Sequence, residues 1–387
     1  MDFNLSEDQK FFRETIRAFV DKEIRPVASE LEKSGTYPDE IVQKMKDMGL
    51  FGILIPEEYG GQNIDMVSLA ILFEELSRGW MGIAGIIGSH SLSTWMIDKH
   101  GTEAQKNEFL PKLATGELRT GVGLTEPDAG TDLQGIKTRA VLDGDYYIVN
   151  GSKMWITNGR YANPLPVLVK TDINTDPAHK GMSVLLMDQN AEGFEISKDI
   201  GKMGYKGPES CLLMFSDVKV HKSMLLGEVE GRGLQQVLSA LEIGRLNIAA
   251  RAVGIAQEAY NQALSYSKER KAFGKEINEF QAIQLKLAEL ATNVQASRLL
   301  TWWSASMADQ GKRVDTEAGM AKYFSSEVAI SNSLDAMRIH GGMGYSTEYS
   351  IERLYRDAPL MAIGEGTNDI MKTIIAKGLV RGDVVID

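Results

Sequence analysis

The sequence predicts an α+β fold, mainly α-helical, in which a β domain lies between two helical domains. Apolar residues recur every three or four positions up to about residue 117 and again from about 228, as on amphipathic helices. In between, short runs rich in Val, Ile, Tyr and Thr alternate with glycine-containing turns, which is typical of strands. We therefore expect an N-terminal helical domain at 1–117, a middle antiparallel β-barrel or sandwich domain at 118–227, and a C-terminal four-helix bundle at 228–387.

Composition excludes several classes of function. The chain of 387 residues carries a formal net charge of −11, which disfavours nucleic acid or an anionic membrane as a main partner. The single cysteine, Cys211, excludes an internal disulfide and a CxxC metal site. The five histidines are scattered and no HExxH spacing occurs, so no metal centre is predicted.

The N-terminal stretch MDFNLSEDQKFF is acidic and polar, which is unlike a signal or transit peptide. No apolar run approaches the roughly 20 residues that a membrane-spanning helix needs. We expect a cytoplasmic protein without a membrane span.

In the N-terminal domain, Ser6 is the expected cap of the first helix. Further helical segments are predicted at 40–48, 67–77, 85–98 and 103–113, with breaks at Pro26, 56–61 and 101–102. The small residues of 82–87 predict a buried packing seam.

In the middle domain, strands are predicted at 137–142, 146–149, 154–157, 167–171, 182–187 and 212–215. Asp143-Gly144 and Asn150-Gly151 are favourable hairpin turns. In the last domain, the helical pattern covers about 234–267, 279–309, 314–343 and 368–379.

The most informative stretch is Gly364-Glu365-Gly366, where one carboxylate stands in a small and apolar run before a helix start. Thr367 or Asn368 can cap that helix. Burial of Glu365 would raise its pKa above the free value of about 4.3, which suits a general base near neutrality. An acidic residue in an ordinary helix–helix turn is the simpler interpretation of this local sequence.

Two motifs of the middle domain are suited to a flat polar ligand. The loop GVGLTEPDAGTD at 121–132 offers backbone N–H groups and the hydroxyls of Thr125 and Thr131. Trp155 and Thr157, two residues apart on one strand, offer a stacking wall and a hydrogen bond. Taken singly, the first motif is more typical of a β-turn, and the second is equally typical of a core tryptophan beside a hairpin.

Basic residues of the last domain are suited to anions. Arg270 can bind a pyrophosphate bidentately, and Phe273 can cover an aromatic ring. Arg338 lies near paired glycines that would let a ligand approach the backbone. Arg245, in an apolar helix, needs a partner if it is buried, and a structural ion pair is its default role.

Four of these motifs occur in one order: GVGLTEPDAGTD, MWITNG, RKAFGK followed by FQ, and HGGMGY followed by RDA and GEGTNDI. Together with PEEYGG at 56–61, this series resembles the acyl-CoA dehydrogenase family of flavoproteins over essentially the whole chain. The resemblance implies a homo-oligomer, typically a tetramer, that binds FAD and an acyl-CoA.

The resemblance also implies roles for residues. Glu365 falls on the base that removes the α proton while the β hydride passes to the flavin, and an electron-transferring flavoprotein reoxidises the cofactor. Arg245, Thr131, Gly364 and Gly366 fall beside the substrate. The implied FAD-binding residues are Leu124, Thr125, Thr131, Trp155, Thr157, Thr367 and Asp369, with Arg270, Phe273, Gln281, Arg338, Gly341 and Gly342 reaching the cofactor of a neighbouring subunit.

Departures from the family pattern bear on the substrate. Gly364 stands where straight-chain enzymes often have Tyr, which leaves room for a branched or alicyclic acyl group. Arg338 replaces a frequent Gln, and Ala272 a Thr or Val. An acyl-CoA oxidase, an enoyl-CoA reductase of the same fold and a non-catalytic thioester-binding helical scaffold remain alternatives.

Overall fold

The computed structural model describes residues 4–382, except the side chain of Lys198. The order of elements is helices, then a sheet, then helices. The helices are α1 (Glu7–Phe19), α2 (Arg25–Ser34), α3 (Asp39–Asp47), α4 (Met66–His100), α5 (Glu103–Ala114), α6 (Gly233–Glu269), α7 (Gln281–Asp309), α8 (Asp315–His340), α9 (Ile351–Ile363) and α10 (Asn368–Arg381). The predicted mainly α-helical α+β architecture is confirmed.

Helix α1 begins as its sequence predicts. The Ser6 hydroxyl accepts the N–H of Gln9, and the Gln9 side chain accepts the N–H of Ser6. The predicted break at Pro26 is wrong, because a π-helical turn at Val20–Ile24 leads directly into α2. Pro26 lies in the first turn of α2, directly after the π-helical turn, and the helix continues through it.

Helix α4 replaces the two helices predicted at 67–77 and 85–98. The buried residue Trp80 interrupts α4, because its backbone angles of φ −159° and ψ 111° are not helical. Arg353 donates to the carbonyl oxygen of Gly79 at 3.0 Å, beside this break. The seam predicted at 82–87 is buried: a Cβ added at Gly82 would lie 2.7 Å from the carbonyl oxygen of Lys206, and one at Gly85 1.8 Å from the Tyr205 hydroxyl.

The middle domain is a six-stranded sheet in the order β4-β3-β1-β2-β6-β5, antiparallel except where β1 meets β3. Its strands are β1 (Arg139–Asp143), β2 (Tyr146–Thr157), β3 (Leu165–Lys170), β4 (Met182–Met187), β5 (Phe194–Asp199) and β6 (Ser210–His221). Strand β5, which the sequence pattern did not predict, pairs with β6 and is one edge strand of the sheet. A further two-residue pair, β7 (Lys271–Ala272) and β8 (Lys275–Glu276), follows α6.

In the last domain α6, α7 and α8 form the body of a bundle against which α9 and α10 pack. The apolar core of the bundle includes Met81 of α4 and Tyr205 of the loop before β6. One long helix, α6, therefore touches all three regions of the chain. Within residues 4–382, no helix is long and apolar enough to span a bilayer.

Candidate active site

Glu365 lies in the tight turn between α9 and α10. Its φ is +55° and that of Gly366 is +93°, so both residues adopt left-handed backbone conformations. Thr367 caps α10 by accepting the N–H of Ile370, and Lys322 of α8 donates to the carbonyl oxygen of Gly366 at 2.7 Å. The turn is thus held from both sides, as a strained functional residue requires.

The carboxylate of Glu365 lies against the backbone of α6. A Cβ added at Gly244 would lie 2.7 Å from Oε2 of Glu365, so no residue larger than glycine leaves this carboxylate its place. The residue is half-buried by accessible surface, although protein atoms crowd its carboxyl group. Burial raises the pKa of Glu365, while the charges of Arg251, Arg245 and Lys322 act in the opposite direction.

Two of these cations have partners of their own. Arg245, buried in α6, donates to Asp315 at 2.8 Å, as expected for a structural ion pair, but its Nε has no acceptor within residues 4–382. Lys322 is fully buried, and desolvation lowers its pKa to about 8. The site therefore combines one carboxylate with three nearby cations.

A buried ion pair attaches the predicted ligand loop at 121–132 to strand β2. Lys153 of β2 donates to Glu126 at 2.8 Å and to the carbonyl oxygen of Leu124 at 2.9 Å. Glu126 also accepts the backbone N–H groups of Lys137 and Thr138. As a result Leu124 and Thr125 are held half-buried beside β2, whereas Thr131 lies exposed at the far end of the loop.

Trp155 lies in a bulge of β2, because the register against β6 shifts between Lys153 and Ile156. Its φ is +66° and the residue is 50 % exposed, so it is not the core tryptophan of the simpler interpretation. Bulges of this kind redirect a side chain. The half-buried Thr157 follows, with its hydroxyl 3.4 Å from that of Tyr205.

A second group of predicted residues lies on the surface, around β7, β8 and the end of α8. Phe273 is 96 % exposed at a φ of +52°. A Cβ added at Gly341 or Gly342 would meet no atom within 4 Å. Arg270 and Gln281 are exposed, and Arg338 pairs with Asp335 at 3.2 Å. Within residues 4–382, no hydrogen bond or ion pair joins this group to Glu365.

These residues fit FAD. A half-exposed indole and two threonine hydroxyls, Thr125 and Thr157, lie on β2 and on the loop bonded to it, and these groups suit a planar polar ring. The exposed group adds an aromatic side chain, an arginine and open glycine backbone, which suit an adenosine and a diphosphate. The two groups are separate in one chain, as expected if a second chain completes each site.

Sequence reasoning missed four residues that meet at this site. Gly244 and Arg251 lie about two turns apart on α6, Lys322 lies on α8 and Tyr205 lies in the loop before β6. A lone lysine or arginine in an apolar helix was the available signal for Lys322 and Arg251. Nothing in the local sequence of Gly244 distinguishes it from other helical glycines.

Comparison with known families and proteins agrees with this geometry. Three models match consecutive parts of the chain: the N-terminal domain of acyl-CoA dehydrogenases over residues 6–117, the middle domain over 121–218 and the C-terminal domain over 231–380. The 3-(aryl)acrylate reductase of Clostridium sporogenes is 41 % identical, with 97 % of this chain and 99 % of the relative aligned.

Two further proteins are similar over their whole length. Subunit CarC of the caffeyl-CoA reductase–Etf complex of Acetobacterium woodii is 38 % identical, covering 97 % of this chain and 99 % of the relative. The structure of butyryl-CoA dehydrogenase from Megasphaera elsdenii superposes with a TM-score of 0.95 at 36 % identity, covering 98 % of this chain and all of the other. The family is FAD-dependent and its members are oxidoreductases. The chain, matched by all three domain models in order, belongs to the acyl-CoA dehydrogenase family.

Proposed function

We propose that the chain catalyses the α,β-dehydrogenation of an acyl-CoA thioester to the 2,3-enoyl-CoA, with Glu365 as the base. The observation that carries this proposal is the carboxylate of Glu365, held on a strained turn against glycine backbone with its pKa raised by burial. A general base is most effective when its pKa lies near the working pH.

Glu365 accepts the α proton of the thioester. Its own backbone N–H donates to no acceptor within residues 4–382, so it is available for the oxygen of the developing enolate. Burial raises the pKa of Glu365, and the charges of Arg251, Arg245 and Lys322 oppose this by favouring the ionised carboxylate. A closed, dry cleft strengthens each of these electrostatic interactions.

FAD, when bound, supplies the acceptor for the hydride that leaves the β carbon. Leu124, Thr125, Trp155 and Thr157 would hold its ring system, with Thr367 and Asp369 toward the adenosine diphosphate. The exposed Thr131, with Gly364, Gly366 and Arg245, would contact the acyl-CoA.

The exposed residues Arg270, Phe273, Gln281, Arg338, Gly341 and Gly342 would contact the FAD of a second copy. Their exposure in a single chain supports a homo-oligomer, which we propose to be a tetramer. We propose an electron-transferring flavoprotein as redox partner, because CarC, a relative over 97 % of the chain, is a subunit of a complex with such a protein.

The acyl group is proposed to be branched or alicyclic near its α carbon. Gly364 has ordinary backbone angles, φ −67° and ψ 156°, so glycine is not needed there for its conformation. A Cβ at this position would meet only Leu360, at 3.4 Å or more. This space beside the base supports an acyl group wider than a straight chain.

The reverse reaction is a second candidate, since two of the compared relatives are reductases of acrylate derivatives. The same base would then deliver the α proton as an acid. The physiological direction follows from which rate is larger with the natural redox partner. Transfer of electrons to oxygen instead would make the protein an oxidase.

The variant Glu365→Gln tests the proposed chemistry. The purified wild type should be yellow and should bleach anaerobically with its acyl-CoA, whereas the variant should stay yellow and lose bleaching by at least about a thousandfold, in the range for a missing general base. Bleaching by the variant at the wild-type rate would refute the role of Glu365. A colourless protein that binds thioesters would instead be a scaffold.

The variant Gly364→Tyr tests the proposed width of the acyl pocket. An aromatic ring should slow turnover of isobutyryl-CoA and cyclohexanecarboxyl-CoA much more than turnover of butyryl-CoA. Faster turnover of butyryl-CoA than of every branched or alicyclic thioester by the wild type would disprove the proposal.

A further inference from the structure

One face of α6 runs from Glu365 along α4. Gly244, Asn247 and Arg251 share this face because they are spaced by three, four and seven residues. Each lies near α4: Leu92 is 3.4 Å from the Cβ position of Gly244, Asn247 is 2.2 Å from that of Gly88, and Arg251 contacts Met81. With a rise of about 1.5 Å per residue, Arg251 lies about 10 Å along the helix from Gly244.

Arg251 is a buried cation with incomplete partners. It is 5 % exposed, its Nη2 lies 2.7 Å from the sulfur of Met81, and its Nε has no acceptor within residues 4–382. A thioether is a weak acceptor. Within the same residues no carboxylate lies within 4.0 Å of Arg251, in contrast to the buried Arg298 and Arg245, which pair with Glu74 and Asp315.

The aromatic ring of Tyr205 flanks this guanidinium, with its centroid 5.3 Å from Cζ of Arg251. Tyr205 is itself buried, and the backbone N–H of Tyr205 is fixed by Asp357 at 2.6 Å. The Tyr205 hydroxyl lies directly against Gly85 of α4, since a Cβ added at Gly85 would be 1.8 Å from it. A guanidinium and a phenol thus meet at the same place between α4 and α6.

The charge of Arg251 also acts on Glu365, the proposed base. Burial raises the pKa of Glu365, and of the three cations that oppose this effect Arg251 has the largest influence. The charges of Arg245 and Lys322 act on the same carboxylate. A buried positive charge in this position is costly unless a further anion joins it.

We propose that Arg251 and the Tyr205 hydroxyl bind a carboxylate at the distal end of the acyl group, so that the preferred substrates are short dicarboxylic acyl-CoA thioesters. This inference rests on the proposed function and names the substrate class of that same site. Arginine suits the task because its planar guanidinium can donate two parallel N–H groups to one carboxylate. The proposed branching concerns the other end of the acyl group, beside Gly364, so the two proposals are compatible.

The test compares glutaryl-CoA with pentanoyl-CoA, which has the same chain length and no second carboxylate. Wild-type enzyme should have the larger kcat/KM for glutaryl-CoA. In Arg251→Gln the ratio of the two values should fall at least about tenfold, the factor expected for loss of a charge-assisted hydrogen bond. Arg251→Lys should retain part of the preference, because it retains the charge.

The control variant is Arg298→Gln, which removes another buried arginine that pairs with Glu74 and lies on α7. It should leave the ratio as in the wild type. Calorimetry in the Glu365→Gln background supplies a readout without turnover: there Arg251→Gln should weaken binding of glutaryl-CoA more than that of pentanoyl-CoA.

An equal loss with both thioesters would overturn the inference, because Arg251 would then act only on the ionisation of Glu365. A wild-type preference for pentanoyl-CoA would overturn it as well. Both results leave the proposed function intact. Failure of the proposed function looks different, since no acyl-CoA of any class would then bleach the flavin.

Discussion

At the scale of single residues, the site depends on the absence of a side chain at Gly244, beside Glu365. The carboxylate of Glu365 occupies the space that a side chain at Gly244 would need. Gly244 lies within the helix α6, where glycine is unfavourable by about 1 kcal/mol relative to alanine. Its presence there is explained by the carboxylate and not by the helix.

Gly244→Ala should therefore stabilise the helix and impair the enzyme. The added Cβ would lie 2.7 Å from Oε2 of Glu365, so the carboxylate must move by a few tenths of an ångström or more. We expect the rate of flavin bleaching to fall by about 10² because displacement of a catalytic group is this costly. Stopped-flow measurement with saturating acyl-CoA checks it.

A helical glycine elsewhere provides the control. A Cβ at Gly319 of α8 would meet Ile375 at an ordinary 3.5 Å. Gly319→Ala should leave the bleaching rate as in the wild type. Equal bleaching rates for the Gly244 and Gly319 variants would mean that Glu365 does not need its observed position.

The base itself could be predicted from the sequence, but its surroundings could not. Glu365 was recognisable as one carboxylate between two glycines that also fits a family motif. Its left-handed backbone and the approach of Gly244 depend on how α6 packs against the turn, 120 positions away along the chain, which no local pattern reports. Arg251 was missed although a lone arginine in an apolar helix was an available signal, because its neighbours Met81 and Tyr205 are distant in sequence.

At the scale of elements, the ligand loop depends on strand β2. Lys153 is fully buried and reaches Glu126 and the carbonyl oxygen of Leu124, while the next residue, Met154, donates its N–H to the carbonyl oxygen of Thr125. The bulge that follows redirects Trp155. One strand therefore positions both the loop and the indole that we assign to the flavin.

Lys153→Met should loosen this loop. It leaves the buried Glu126 without its ion-pair partner, and breaking a buried pair costs about 3–5 kcal/mol. We expect a lower melting temperature and faster loss of FAD on gel filtration. The double variant Lys153→Met/Glu126→Gln should recover part of the stability, since no unpaired charge remains.

Lys137→Met is the matched control, because Lys137 forms an ion pair with Asp128 of the same loop but both side chains are at least 70 % exposed. Exposed pairs contribute little to stability. A similar loss of FAD from both single variants would contradict the special role of the buried pair.

Pattern reasoning was sufficient for most elements and insufficient at their irregularities. Alternation and the Asp143-Gly144 hairpin turn predicted the sheet. The hairpin turn predicted at Asn150-Gly151 is wrong, because both residues lie within β2; strand β5 was missed, and the Trp155 bulge interrupts the simple alternation. The seam of α4 was predicted from its small residues, whereas the break at Trp80 was not, because it follows from contacts with the loop at Gly207 and with Arg353. Tertiary contacts override helical propensity at such points.

At the scale of the whole molecule, buried charges tie the first helix to the rest. Glu75 of α4 is fully buried and accepts hydrogen bonds from Arg13 and Arg17 of α1 and from Arg78. The neighbouring Glu74 pairs with Arg13 and with Arg298 of α7. Three helices from two ends of the sequence are thereby joined through two adjacent carboxylates.

This network should make the free energy of unfolding depend on pH in the acidic range. Hydrogen bonds and charges of the arginines, opposed by burial, lower the pKa of Glu75 from 4.5 to about 2. Because the folded pKa is lowered, the stabilisation is fully present above pH 4.5 and is lost as the pH falls toward 2, and it amounts to about 3 kcal/mol. Glu75→Gln should lower the free energy of unfolding by about this amount at pH 7, and by less at pH 3, as measured in urea.

Glu7→Gln serves as the control, since Glu7 pairs with Lys10 in α1 but is 90 % exposed. Its unfolding midpoint should match that of the wild type at both pH values. If the Glu75 and Glu7 variants unfolded alike, the buried network would not be what fastens α1 to α4.

The separation of the site into two groups has a genetic consequence if the proposed oligomer forms. Each flavin would then be served by Glu365 of one polypeptide and by the exposed Phe273 region of another. Chains inactivated by Glu365→Gln and chains inactivated at Arg270 should consequently rescue one another when coexpressed, because a hybrid assembly contains some pockets built from two intact halves. Mixing the same two mutants after separate assembly should give no such complementation.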